Sequence, residues 1–163
     1  MMKFMMIFSC VLAIFIQNVS AQELKPNESA LKLLQTTSPG IDWDNKTENL
    51  ADVTCDKLMD TILVGYAKND EVWVGIVPGS NDSENIKPMI FKFRVGKQSQ
   101  DSFCGIPVRV ETSPITCSDE EIGTFPGCRP IKGCKDFSLI DDMCDSFHFY
   151  WDATNKKLVW WRR

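Results

Sequence analysis

The chain has 163 residues, 44% of them hydrophobic, and a formal net charge of −4. This is enough length and apolar content for one domain with a real core. The mild acidity, with no basic cluster longer than Lys156-Lys157 or Arg162-Arg163, excludes the electrostatic footprint of a nucleic-acid or anionic-membrane binder.

Residues 1–21 read as an export leader. Lys3 gives a positive start, Phe4 to Ile16 is an almost unbroken apolar run, and Val19-Ser20-Ala21 places small residues where a signal peptidase cuts. The run is shorter than the ~20 residues that a bilayer about 30 Å thick requires. The mature chain is therefore expected to be secreted and extracellular, without a membrane anchor. Losing Lys3 leaves it slightly more acidic.

Residues 22–54 form a polar lead-in with one short helix. Asn27 or Ser29 can cap it, Ala30-Leu31-Lys32-Leu33-Leu34 has helical composition, and Pro39-Gly40 stops it. The stretch from Gly40 to Asp52 is acidic and carries a single aromatic, Trp43.

Residues 55–163 read as a disulfide-linked β domain. Ile62, Val64 and Tyr66 alternate with Leu63, Gly65 and Ala67; Asn69-Asp70 marks a turn; Val72, Val74 and Ile76 then alternate on the return. Two such runs around a short Asn-Asp loop predict a hairpin. Phe91, Phe93 and Val95 share one face of the next strand, with Lys92 and Arg94 on the other. Val108 and Val110 point inward between Arg109 and Glu111. In 113–144 prolines and glycines break the pattern, which predicts a Cys-rich insertion without regular elements. Phe147, Phe149 and Trp151 begin a last hairpin that returns through Leu158-Val159-Trp160-Trp161.

Of seven cysteines, Cys10 falls in the leader, leaving Cys55, Cys104, Cys117, Cys128, Cys134 and Cys144. An even set in an exported chain predicts disulfides, with at least one joining the insertion to Cys55 or Cys104. With no C-x-x-C and His148 as the single histidine, neither metal nor cofactor is expected. The acidic runs Asp119-Glu120-Glu121 and Asp141-Asp142-Asp145 lack EF-hand spacing and read as loop charge. Sequons at Asn27, Asn45 and Asn81 predict glycans on surface loops.

Catalysis has no visible nucleophile-and-base arrangement: no G-x-S-x-G elbow occurs and His148 reads as a surface-facing strand residue. The segment Cys128-Arg129-Pro130-Ile131-Lys132-Gly133-Cys134 is basic and bracketed by cysteines, as protease-inhibitor loops are. Pro130 blocks trypsin-like cleavage after Arg129, which leaves Lys132. In Tyr150-Trp151 and Trp160-Trp161 neighbours face opposite ways, so Tyr150 and Trp161 are expected to be exposed anchors for a partner.

With its leader, glycan sites, mild acidity and one cysteine-braced β domain, the chain resembles secreted salivary proteins of blood-feeding arthropods. Among these it is most similar to the tick lipocalins, with their short amino-terminal helix, antiparallel strands and disulfides. It departs from them in Gly40-Ile41-Asp42-Trp43, one residue longer than Gly-x-Trp, in about six strands rather than eight, and in its insertion. A cystatin-like helix and sheet is the other candidate, but Q-x-V-x-G is absent. The expected fold is mostly β: a short helix with an antiparallel sheet or small barrel, and a disulfide-braced insertion. The expected function is a non-enzymatic binding protein that blocks an extracellular host protein. The alternatives are a lipocalin-like carrier of a small hydrophobic or amine ligand and a protease inhibitor acting through residues 128–134.

Overall fold

The computed structural model describes residues 26–81, 86–96 and 99–163. The expected leader 1–21, the side chain of Asn27, and Asp82 and Ser83 of the Asn81 sequon lie outside the described residues. No helix among the described residues is long and apolar enough to cross a membrane.

The chain folds as α1 (Pro26–Thr37), β1 (Asp42–Ala51), β2 (Asp60–Ala67), β3 (Glu71–Val77), β4 (Met89–Val95), β5 (Ser102–Phe103), β6 (Arg109–Pro114), β7 (Ser118–Asp119), β8 (Gly123–Thr124), β9 (Lys135–Ile140), β10 (Phe147–Asp152) and β11 (Lys157–Trp161). β1 to β5 form one sheet in that order, antiparallel apart from the β4–β5 pair. A second sheet runs β11-β10-β9-β6, and β7–β8 is a small separate ribbon. The result is mostly β with one short helix, curled into a half-barrel.

The core lies between the two large sheets. Alternation buries Ile62, Val64, Val72, Val74, Ile76 and Phe93 from the first sheet, and Phe137, Leu139, Phe147, Phe149 and Leu158 from the second. Phenylalanine rings fill the middle: Phe137 stacks on Phe149 with centroids 4.3 Å apart, and Phe147 lies 4.5 Å from Phe93 and 4.7 Å from Phe103. Truncating one such ring costs about 3–5 kcal/mol.

The outer face of the first sheet is covered by α1. Ala30 and Leu34 pack on Trp43, Leu63 and Val77. Gly65 and Gly75 make the approach possible, since a Cβ at Gly75 would come within 2.5 Å of Leu34 and 2.9 Å of Trp43. With both faces of β2 covered, its residues from Asp60 to Gly65 are all buried, which explains an apolar run without polar alternation.

Both sequence-derived hairpins form, and in the β2–β3 turn Asp70 adopts the left-handed conformation (φ 58°). Two assignments are corrected. Residues 42–51, expected in the polar lead-in, form β1. Its register with β2 breaks between Asp44 and Asn49, and there the Thr47 hydroxyl donates to the Asp44 carbonyl and accepts the Val64 N–H at 2.9 Å. A side chain thus replaces a missing rung of the ladder, so the strand needs few apolar residues. Residues 113–144 are not devoid of regular structure either. β9 lies within them as an inner strand of the second sheet, with Phe137 and Leu139 alternating against Asp136 and Ser138.

The cysteines pair as Cys55–Cys134, Cys104–Cys144 and Cys117–Cys128. Two of the three bridges therefore tie the Cys-rich segment to Cys55 and Cys104, as expected.

Candidate functional site

Residues 115–134 fold back over the outer face of the second sheet. Phe125, a lone aromatic in this polar stretch, stacks on Tyr150 (5.1 Å, 17°) and tilts against Trp161 (5.1 Å). Trp161 in turn stacks on His148 at 4.4 Å. The Tyr150 hydroxyl donates to the Pro126 carbonyl at 3.2 Å, and the Ala153 N–H donates to the Gly127 carbonyl at 2.9 Å. Gly127 holds a positive φ of 75°, and a Cβ there would collide with the Asp152 carboxylate.

These contacts correct two expectations. Tyr150, expected as an exposed anchor, is only 5% exposed because Phe125 covers it. Trp161 is half-buried between His148 and Phe125. His148 does point out of the second sheet, as expected, but it is not free. It is half-buried, and a 2.9 Å hydrogen bond joins its Nδ1 to Ser138 Oγ on the facing strand. Burial first, and then the Arg163 guanidinium, holds its pKa below the usual histidine range; Asp119 and Asp145 oppose this. A neutral imidazole stacked on Trp161 fits a tie between strands. The two C-terminal arginines are not a free basic pair, since Arg162 donates to the Ser102 carbonyl and Arg163 meets Asp119 at 2.9 Å.

Between the folded-back loop and the sheet is an open cleft of about 540 Å³, with Ser138, His148, Asp119, Arg163 and Asp136 on its walls. Asp136 fixes the root of the loop by accepting the Thr116 N–H at 2.6 Å. Its other oxygen, Oδ1, is buried and meets no hydrogen-bond partner among the described residues. Burial pushes the pKa of this carboxyl up to about 6, against the effect of the Thr116 N–H. The sequence carried no signal of this, because Asp136 reads as one more loop charge.

Lys132 is exposed, as are Arg129, Pro130 and Gly133. The ends of this short basic loop are pinned by Cys128 to Cys117 and by Cys134 to Cys55. Asn45 and Asn81 are exposed, with Asn45 in the β1 irregularity. Asp141, expected as loop charge, is buried instead, and its carboxylate accepts four backbone N–H groups, those of Cys104, Gly105, Met143 and Cys144.

Compared with protein-family models, curated proteins and solved structures, the chain matches none.

Proposed function

We propose that the protein is a secreted, non-enzymatic binding protein that sequesters or blocks an extracellular protein, as salivary effectors of blood-feeding arthropods do. The observation that carries this reading is the 128–134 loop. It is exposed, basic and fixed at both ends by disulfides to different parts of the fold. A loop ordered before binding loses less entropy on docking, and Arg129 and Lys132 favour an acidic patch on the target. The fold supports a protein target over a carried ligand, because phenylalanines fill the space between the sheets where a carrier keeps a cavity of roughly 300 Å³ or more. Glycans at Asn45 and Asn81 belong to the same proposal. The open cleft beside His148 favours the carrier as a second reading, and the same loop offers Lys132 to a protease.

The test uses the full glycosylated chain, immobilised and exposed to host plasma. Arg129→Glu combined with Lys132→Glu is expected to weaken capture of one identified protein at least tenfold with folding kept. A stoichiometric small molecule retained by the protein in native mass spectrometry, with no protein captured, would overturn the reading.

A further inference from the structure

The cleft beside His148 does not stop at its own wall. A second cavity of about 580 Å³ adjoins it, shares Cys144, Asp145 and Arg163 with it, and runs on to Gln100 and Ser102 at β5. The two form one polar groove that passes from the folded-back loop to the edge of the first sheet.

The charges along this groove are matched. Arg163 meets Asp119 at 2.9 Å, and the Asp145 carboxylate lies in the field of the same guanidinium. Arg162 donates to the Ser102 carbonyl and sits 4.7 Å above the Phe147 ring. Among the lining carboxyls, Asp136 alone lacks a guanidinium, and it is half-buried with one oxygen on the Thr116 N–H. Such a wall selects neither an anion nor a cation.

What the groove leaves uncommitted is hydroxyl. Ser113, Ser118 and Ser146 line it, and among the described residues their side chains make no hydrogen bond. Phe125 and Trp161 line the same wall. An apolar ligand here would strip water from hydroxyls and carboxylates and return no hydrogen bond. A sugar ring returns them: each hydroxyl both donates and accepts, and the C–H face packs against aromatic rings. Both cavities fall in the roughly 300–1,000 Å³ range of small-molecule sites, and their junction at Asp145 suits linked rings better than a single one.

We propose that this groove binds a neutral oligosaccharide, with Ser113, Ser118, Ser146 and Asp145 as its polar contacts. The site goes beyond the protein-binding reading and does not depend on it. The same chemistry serves a free sugar or a glycan carried by a glycoprotein.

The test uses the full chain, labelled with ¹⁵N and made without glycans so that none of its own competes. Chitotriose, mannotriose and N-acetyllactosamine are each titrated to about 10 mM; sialyllactose and phenethylamine are the charged counterparts. At least one neutral sugar is expected to shift the amides of Ser118 and Ser146 and the Trp161 indole. S118A/S146A should weaken that sugar about tenfold, and D145A should weaken it independently, while R129E/K132E leaves it unchanged. Amide spectra check that each variant is folded. No shift with any of the three sugars overturns the proposal, and so do shifts that persist undiminished in both S118A/S146A and D145A. Binding of sialyllactose or phenethylamine in the groove without any neutral sugar overturns the ligand class. If the sugar also displaces a protein captured from plasma, and enzymatic removal of that protein's glycans abolishes its capture, the oligosaccharide is a glycoprotein's. Sugar binding without such displacement assigns the groove to free sugar, whether or not the 128–134 loop captures a protein.

Discussion

Asp141 and Asp136 are both withdrawn from water, but their surroundings push them in opposite directions. Burial raises the Asp141 carboxyl, yet four backbone N–H groups outweigh it and hold its pKa below the usual range. Its contribution to stability is therefore complete above an unfolded aspartate's pKa near 3.8 and is lost as the pH falls below it. Asp136 has one N–H against its burial, and its pKa rises to about 6. The folded state then prefers the proton, so the favourable contribution is present below pH 3.8 and is lost as the pH climbs to about 6. Asp136→Asn removes that titration while keeping an acceptor for the Thr116 N–H. Relative to wild type, the variant should gain about 1–2 kcal/mol between pH 4.5 and pH 7.5, allowing for screening of a partly exposed group. Urea unfolding at the two pH values measures this; equal differences at both would show that Asp136 carries no raised pKa.

At the level of elements, local pattern was readable wherever a strand's own neighbours bury it. β2–β3 and β10–β11 follow from alternation and turn residues alone, and so do the inward faces of Phe93 and Val108. β1 was not readable, because its hold on β2 comes partly from Thr47, and one threonine in an acidic stretch gives no period. β9 was hidden among the prolines and glycines of its flanks. The candidate site was legible only in part. Lys132 is exposed as expected, but the burial of Tyr150 depends on Phe125 arriving from 25 residues away in the chain, a contact that no local pattern encodes. The role of Thr47 has a direct test in unglycosylated protein. Thr47→Val keeps the shape but leaves the Val64 N–H without its acceptor, at a cost of about 1–3 kcal/mol. Asn45→Gln, in the same irregularity but exposed, should cost almost nothing. Faster hydrogen exchange at Val64 in the threonine variant alone is the expected signature.

For the molecule as a whole, two of the three disulfides act on different parts of the fold. Cys55–Cys134 spans 79 residues of sequence and Cys117–Cys128 only 11. Loop-closure entropy alone assigns the long bridge about 4.5 kcal/mol and the short one about 3 kcal/mol. The long bridge also anchors the end of the 115–134 segment beside the first sheet, where the Lys135 N–H donates to the Asp52 carbonyl at 2.8 Å. The short bridge instead closes the segment that carries Phe125 onto Tyr150. Replacing Cys55 and Cys134 by alanine should therefore cost about 1.5 kcal/mol more unfolding free energy than replacing Cys117 and Cys128, read as a lower urea midpoint. The order should reverse for exposure of the aromatic face. With the short bridge gone, Phe125 is freer to leave, and the fluorescence of Trp161 should become more accessible to iodide at a denaturant concentration where the core is intact. If the short-bridge variant instead unfolds in one step with the core, at a midpoint as low as that of the long-bridge variant, the covering segment is part of the core, and the aromatic face cannot be uncovered without losing the fold.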